Sequence, residues 1–416
     1  MSLKKIKAGV FNLVLVISIV ITFLITSLIL LFYYQNRVLQ KNNLERKVIT
    51  NAFSGIEYTL GTYEDIKFND TLFFNLLKDE EDTTTIIKST WGLWDIVSVT
   101  GQKNTYKHTI HALIGNILSP EDKKVGLYII GNNPDDFIGI SGNFRLKGDY
   151  YTPKLGLKPV TIEGELIKNS QYANGSKFQS AIKLPLAESS IIERLKEIKE
   201  KRFKNTENIV LEDSINISFG EKTKIIYLSN NITLSNNMRG NLILYSNADI
   251  NISKNAELED IIVVGKNVRV EKEFKGRVQI FATDSLIIGE NVVLEYPSTL
   301  NSLDGEKSYI KMKEGSYLQG IILSYPLNIE SKKNRILSID EKVKIHGYIY
   351  ADAQVEIKGD LIGGLFCTSV FLKTGSSFFE NVLKDVQIDA TNISPYFLIP
   401  SILNKKNEKA ILQWLY

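Results

Sequence analysis

Histidine and cysteine are the residue types that most often mark a metal or catalytic site. This chain of 416 residues contains three histidines and one cysteine. His108 and His111 stand three positions apart, but no cysteine or third histidine lies near enough in the sequence to complete a metal site. His346 has no acid or nucleophile beside it and is predicted to be an exposed polar residue. Cys367 falls at an inward apolar position and is predicted to be a buried small hydrophobe. We therefore predict no catalytic, cofactor-binding or metal-binding residue.

Paired carboxylates are the second kind of chemistry to test, because glycoside cleavage needs two of them at a defined separation. The acids of the repetitive part are Glu257, Glu259, Asp260, Glu271, Glu273, Asp284, Glu290 and Glu295. No acid recurs at one offset from the repeat, so they are predicted to face outward. Phosphate-loop, dinucleotide-binding, zinc-protease and serine-hydrolase motifs do not occur in the sequence. We predict that the protein is not an enzyme.

A weak sequence repeat is predicted to form the scaffold that holds any functional side chains. In each copy an apolar residue precedes a small or turn-forming residue by two positions, and another apolar residue follows two positions later. The copies are 238–242, 258–262, 274–278, 318–322, 345–349 and 361–365. Each is followed, after a polar corner, by a second alternating apolar pair, and such a unit must stack on its neighbours to bury its apolar face. We predict a mainly β chain with an irregular parallel β-solenoid. The alternative is a set of antiparallel β-sandwich domains.

Two further copies of the pattern, at 140–144 and 162–166, predict that the solenoid begins before its main part. Residues 63–124 are predicted to form a small membrane-proximal α/β domain, with Trp91 and Trp94 in its core. The rest is predicted to form early solenoid turns over 125–186, a helical insert or cap over 187–206, the main solenoid over 207–392 and a C-terminal tail over 393–416. We expect the tail to pack back on the solenoid and cover its end.

Residues 10–34 contain no charge and are long enough to cross a bilayer, which predicts a transmembrane helix. A lysine-rich leader over 1–9 precedes them, and an apolar stripe at steps of three and four predicts an amphipathic stalk helix over 35–62. Positive charges flank the span on both sides, and the short leader favours a cytoplasmic amino terminus. We predict a single-pass membrane protein whose bulk is extracytoplasmic, in the periplasm or at the cell surface.

The first 60 residues resemble type IV pilins and the pseudopilins of type II secretion systems. The resemblance is carried by the leader Lys4-Lys5-Ile6-Lys7-Ala8-Gly9 and by the unbroken apolar helix after it. Those families usually carry Glu at the fifth position after the cleaved glycine, where this chain has Val14, so cleavage after Gly9 stays open. The glycine-punctuated repeat resembles polymer-forming bactofilin-type proteins in pattern. Together the two regions resemble uncharacterised single-anchor bacterial envelope proteins.

The distribution of charged residues limits the classes of partner that the protein can bind. The 50 lysines and arginines and 47 acids are interspersed along the chain, so no nucleic-acid partner is predicted. We predict a membrane-anchored scaffold protein of the bacterial cell envelope that presents its solenoid for self-assembly or for protein partners. One alternative is a minor pilin-like component of a type IV pilus or secretion apparatus. The other is a polysaccharide-binding or cleaving β-helix protein, for which a polysaccharide contact is expected.

Overall fold

The computed structural model describes residues 8–75, 82–131, 136–201, 211–303, 308–328, 334–402 and 408–415. Most of the predicted leader and the junction between the predicted helical insert and the main solenoid lie outside these residues. The chain divides into two compact units. Unit 1 comprises Met1–Thr62, Asn69–Ile87 and Ser98–Ile110, and unit 2 comprises Tyr63–Phe68, Lys88–Val97 and His111–Tyr416.

The regular elements are numbered in chain order. The helices are α1 (Ala8–Gly61), α2 (Pro120–Lys123) and α3 (Ser189–Lys201), with 3-10 turns at Tyr63–Asp65 and Ala390–Asn392. The strands before α3 are β1 (Thr71–Phe74), β2 (Asp82–Trp91), β3 (Trp94–Lys103), β4 (Tyr106–Ile117), β5 (Val125–Ile129), β6 (Ile138–Ser141), β7 (Arg145–Lys147), β8 (Asp149–Thr152), β9 (Leu157–Pro159), β10 (Ala173–Asn174) and β11 (Lys177–Gln179).

Among the described residues, nineteen more strands follow α3. They are β12 (Ser214–Ile217), β13 (Lys224–Leu228), β14 (Ile232–Leu234), β15 (Asn237–Gly240), β16 (Leu242–Ser246), β17 (Ile250–Ile252), β18 (Glu257–Val270), β19 (Lys275–Ile288), β20 (Val293–Ser302), β21 (Tyr309–Met312), β22 (Tyr317–Ser324), β23 (Ile336–Ile339), β24 (Lys344–Ile357), β25 (Asp360–Lys373), β26 (Phe378–Glu380), β27 (Val382–Lys384), β28 (Gln387–Asp389), β29 (Leu398–Ile399) and β30 (Lys409–Leu415). They include the predicted main solenoid.

Unit 1 is dominated by α1, whose apolar stretch is exposed and is long and hydrophobic enough to cross a membrane. The second half of α1 buries Val48, Ala52 and Ile56 at steps of four. Glycine permits this contact, because a Cβ on Gly101 would lie 2.1 Å from the carbonyl oxygen of Val48. The helix therefore rests directly on the backbone of β3.

Unit 2 contains a stack of parallel coils, which we call the coil stack. The strands β18, β19, β24 and β25 are each 14 residues long and pair in parallel with the next coil. Their register aligns one inward column that is fully buried. It consists of Leu244, Val263, Ile280, Leu300, Ile322, Ile349, Leu365 and Leu127. Burying each such side chain contributes about 2 kcal/mol.

Each coil bends twice and so presents three faces. The first face contains β12, β15 and the first residues of β18, the second contains β13, β16 and its middle, and the third contains β14, β17 and its last residues. The parallel pairing and the long apolar N-terminal helix confirm the predicted fold class. The alternative prediction, a set of antiparallel β-sandwich domains, does not have this parallel pairing.

The coils do not stack in chain order. The strand β5, which precedes α3, pairs in parallel with β25 through Leu127 and Leu365, and β7 pairs in parallel with β28. Likewise β6 pairs with β27. The coils before α3 therefore extend the far end of the stack, beyond β25. Of the two early copies of the sequence pattern, 140–144 shares the core of this stack. The copy at 162–166 instead forms a turn bridged by Ile162 and Glu165, and its Leu166 is 54% exposed.

Glycine at the corner between the first and second faces explains the repeat. Gly320, Gly347 and Gly363 are in register on neighbouring coils. Gly363 has φ +136°, and a Cβ there would lie 1.8 Å from the carbonyl oxygen of Gly347. No side chain fits that gap, so the corner admits only glycine where the coils approach this closely. In the coil of β18 the chain turns instead at Asp260, which has φ +57°.

A six-stranded sheet accompanies the stack. Its order is β1-β2-β3-β4-β29, and β30 also pairs with β4. Both β29 and β30 run antiparallel to β4, so the C-terminal tail becomes part of this sheet. The residues predicted as an α/β domain supply its first four strands and only the four-residue helix α2.

Candidate functional site

The second face of the coil stack carries a column of stacked aromatic rings. Tyr350, Phe366, Tyr128, Tyr151 and Phe178 follow one another with ring centroids 6.0, 5.9, 5.1 and 4.9 Å apart. Such a column could bind a sugar chain if it were open. Most of it is covered: Phe366, Tyr128 and Tyr350 are 9% exposed or less, and only the terminal Phe178 reaches 41%.

Helix α3 and the Trp91–Trp94 turn cover this face within unit 2. Ile191, Leu195 and Ile198 of α3 are buried in the same apolar cluster as the outward side chains of the second face. The Trp91 ring meets Phe219 edge to face at 5.3 Å. The ring nitrogen of Trp94 donates to the carbonyl of Pro297 at 3.2 Å. The prediction that both tryptophans are core residues agrees with their burial, and the second face is a packing surface.

A buried polar cluster fastens α3 in place. Arg194 donates through Nη2 to Asp95 Oδ1 at 2.8 Å and through Nη1 to the carbonyl of Leu93 at 3.1 Å. The Tyr63 hydroxyl donates to the other oxygen of Asp95, and burial raises the pKa of Tyr63. Burial lowers the pKa of Lys88, which lies 4.0 Å from the centroid of the Tyr63 ring. Every charge here has a partner, so we assign the cluster a structural role.

The first face carries charges that pair between neighbouring coils. Arg277 Nε lies 2.6 Å from Asp260 Oδ1, Arg239 Nε lies 3.1 Å from Glu259 Oε2, and Lys147 lies 2.9 Å from Asp389. Opposite charges on adjacent strands of one face stabilise the pairing and leave little free charge for a ligand. Glu259 and Asp260, considered above as candidate glycosidase acids, are thus salt-bridged to arginine.

The third face holds an open trough of about 870 Å³, which we call the third-face trough. Its floor consists of outward side chains in register on four coils: Thr233, Asn251, Arg269 and Ile287. The strand residues on either side of each floor residue point inward, as the alternation of a β-strand requires. For Arg269 these neighbours are the buried Val268 and Val270. The floor is therefore rigid.

One rim of the trough is a ladder of hydrogen-bonded polar side chains. Asp249 accepts a hydrogen bond from Asn267 Nδ2 at 2.8 Å, and Ser285 donates to Asn267 Oδ1 at 2.6 Å. Asn231 Oδ1 accepts from the backbone of Asp249 at 3.1 Å. The ladder crosses four coils and fixes the orientation of the Asn267 amide, because Asp249 accepts from its Nδ2 and Ser285 donates to its Oδ1.

The opposite rim carries charges of both signs. Glu271 accepts from Asn251 Nδ2 at 2.7 Å and from the backbone N–H of Lys254 at 3.1 Å, and these hydrogen bonds lower the pKa of its carboxyl group. Lys313 lies 3.8 Å from Glu290. Arg269 on the floor and Lys272 on the rim make no salt bridge with any described residue.

A second trough, of about 770 Å³, continues the third face toward β25. Three of its four lining lysines form salt bridges, each at 3.1 Å: Lys311 with Asp340, Lys358 with Glu356 and Lys384 with Glu165. Because these pairs satisfy the charges, the second trough offers fewer free groups than the first. The difference between the two makes the third-face trough the candidate site.

The residues singled out from the sequence are scattered. His108 and His111 are half-buried on β4, three positions apart and hence on opposite faces of a strand. His346 is not the exposed residue that was predicted, because its ring stacks on Phe397 with centroids 5.7 Å apart, and burial lowers its pKa. Within the described ranges no three His, Cys, Asp or Glu side chains are arranged to hold a metal ion.

Cys367 is fully buried, as predicted, and burial raises the pKa of its thiol. In the parallel register it pairs with Ala351 on one side and Ile129 on the other. Arg269 was missed altogether. The signal that could have found it is the set of polar residues between inward pairs: Thr233 between Ile232 and Leu234, and Asn251 between Ile250 and Ile252.

Comparison with known proteins adds little to this geometry. No protein-family model matches the sequence, and the comparison with curated protein sequences gives no match. Among solved structures, the crystal structure of the competence-associated pilin ComZ from Thermus thermophilus is similar over 89% of this chain and 97% of that one, at 8% identity and a TM-score of 0.27. A likeness this low carries no argument about function. Nothing in these comparisons supports the resemblance to bactofilin-type proteins.

Proposed function

We propose that the protein is a membrane-anchored structural protein of the bacterial cell envelope that holds the coil stack outside the cytoplasmic membrane. One observation carries the proposal: α1 exposes an uncharged apolar stretch, and the same chain continues into a rigid stack of parallel coils. Exposed apolar surface costs about 25 cal/mol per Å² in water, so a bilayer is the environment that this stretch fits.

The role we propose is positional, with partners bound at the sides of the stack. The last coil places Lys177 in register with Tyr150 in the inward column, and the lysine Nζ lies 3.2 Å from the carbonyl of Lys154. A charge at an inward position of an end strand discourages further strands from adding there. We therefore favour binding of protein partners at a lateral face over end-to-end polymerisation.

Membrane extraction tests the anchor. Full-length protein in the membrane fraction should resist extraction at alkaline pH. Placing lysines in the middle of the span, as Val20→Lys with Leu24→Lys, should release it, because charges at the bilayer centre are costly. The matched control is Gln40→Lys with Asn43→Lys, outside the span on the same helix. Alkaline release of the wild type, or equal retention of both variants, would contradict the proposal.

A pilin-like component of a pilus or secretion apparatus is the second candidate. The observation that favours it is that α1 is unbroken from the apolar stretch into the amphipathic half that buries Val48 and Ile56. Intact mass of the purified chain decides between the candidates. A mature amino terminus at Val10 would support a pilin-like component, and an uncleaved chain would favour the simple anchor.

A further inference from the structure

The third-face trough has the shape and chemistry of a ligand site. We propose that it binds an extended acidic polysaccharide, with the Arg269 guanidinium pairing with a carboxylate of the sugar chain. This inference goes beyond the structural role, since an anchored stack could serve as a spacer without binding any glycan. It adds a function for the third face beyond supporting the stack.

The length of the trough fits an extended polymer. Neighbouring parallel strands lie about 4.8 Å apart, so the floor and rims, which run across five coils, extend over roughly 20 Å. Asn231 lies at one end of the lining and Lys313 at the other. One coil spacing is close to the length of a sugar unit in an extended chain. A linear glycan lying across the strands could thus meet one set of side chains per sugar.

The polar groups of the trough suit hydroxyls. Asn231, Asn251 and Asn267 each carry both donor and acceptor atoms, and sugar hydroxyls need both. The ladder holds the Asn267 amide between Asp249 and Ser285, so its orientation is fixed before any ligand arrives. Pre-ordered groups lose little entropy on binding.

Charge selects an acidic glycan over a neutral one. Each carboxylate of the lining has a partner: Glu271 accepts from Asn251 and from the backbone of Lys254, Asp249 accepts from Asn267, and Glu290 lies 3.8 Å from Lys313. Neither Arg269 nor Lys272 makes a salt bridge with any residue that the structure describes, and both line the trough. A guanidinium binds a carboxylate through two parallel hydrogen bonds, which adds geometric specificity to the charge attraction.

Other polymers fit the trough less well. An extended peptide usually adds to the free edge of a sheet, whereas the floor strand β18 is paired on both sides, with β17 and β19. Single-stranded nucleic acid needs aromatic platforms for its bases, and the described lining contains no aromatic side chain. The apolar floor residue Ile287 leaves room for the hydrophobic face of a sugar ring.

Calorimetric titration of the full-length chain in detergent tests the inference, with galacturonate oligomers as the acidic probe and dextran oligomers of equal length as the neutral one. Galacturonate should bind, and more weakly as salt rises. Arg269→Gln should lower its affinity about tenfold or more, because a charged hydrogen-bonding partner is lost. Arg145→Gln, an exposed arginine on the first face, should leave the affinity unchanged.

Three results would overturn the inference: no binding of galacturonate, equal binding of dextran, or equal affinities of wild type and Arg269→Gln. None of them affects membrane retention, so failure of this inference is distinguishable from failure of the proposed anchor. The Arg269→Gln chain should keep the wild-type melting temperature, because the side chain is exposed and makes no described salt bridge.

Discussion

The corner glycine of β25 offers the sharpest test of how the sequence repeat produces the coil stack. Gly363 has φ +136°, and a Cβ at this position would lie 1.8 Å from the carbonyl oxygen of Gly347 and 2.8 Å from its carbonyl carbon. Both are backbone atoms of the neighbouring coil, so no side-chain rotation relieves the overlap. Gly363→Ala must therefore strain the backbone or separate two coils.

The cost follows from these two effects. A non-glycine residue in a sparsely populated φ/ψ region costs about 1–3 kcal/mol. Overpacking a close contact costs a further amount of about 1–3 kcal/mol. We expect Gly363→Ala to lose about 2–6 kcal/mol of unfolding free energy, which lowers the melting temperature by at least about 3 °C for a domain of this size.

Cys367, four residues along the same strand, reports the loss directly. The thiol is fully buried in the native chain, so a maleimide should react with it only when this coil opens. The measurement is the temperature at which full-length protein in detergent becomes half-labelled. Gly375→Ala is the matched control, because a Cβ there would have no atom within 4 Å. Equal labelling temperatures for wild type, Gly363→Ala and Gly375→Ala would refute the steric explanation of the repeat.

Three further predictions concern other parts of the chain. Arg194→Met leaves Asp95 buried without its cation and should lower the unfolding free energy by about 3 kcal/mol, measured by thermal unfolding. Lys196→Met, on the exposed side of α3, should leave the unfolding free energy unchanged. Gly101→Val should loosen α1 from β3, because a Cβ at this position would lie 2.1 Å from the Val48 carbonyl oxygen. Proteolysis of residues 35–62 should then be faster. Gly61→Ala is the control, because a Cβ there would have no atom within 4 Å. Burial lowers the pKa of His346, so its contribution to stability is fully present above pH 6.5, the ordinary pKa, and is lost as pH falls below it. The stability difference between pH 7.5 and pH 5 should therefore shrink in His346→Gln, and an unchanged difference would show that this histidine does not titrate on unfolding.

Much of the fold could be predicted from periodicity. The inward residues Val268 and Val270 of β18 stand on either side of the exposed Arg269, in the alternating pattern that predicted stacked coils. Stacking of the early coils beyond β25 could not be predicted, because any apolar coil can stack on any other and the pattern carries no information about order. The pairing of β5 with β25 is therefore known only from the three-dimensional structure.

The candidate site was harder to predict than the fold. Sequence motifs identify residues that are close in the chain or arranged in known spacings, whereas Asn251, Arg269 and Ile287 are brought together only by the parallel register. His346 was predicted to be exposed because the position on β24 faces outward from the coil. The prediction did not include Phe397, which comes from a distant segment and stacks on that ring. A side chain that points outward from a coil is not exposed when another segment covers that face.

The side of the membrane on which the coil stack lies tests the account most directly. A cysteine introduced as Gln171→Cys, in an exposed part of the stack, can be labelled by a membrane-impermeant maleimide, and the native Cys367 is buried and should stay silent. Spheroplasts of cells producing the full-length chain should label at this position without lysis. Labelling only after lysis would place the stack in the cytoplasm and contradict the proposed envelope role.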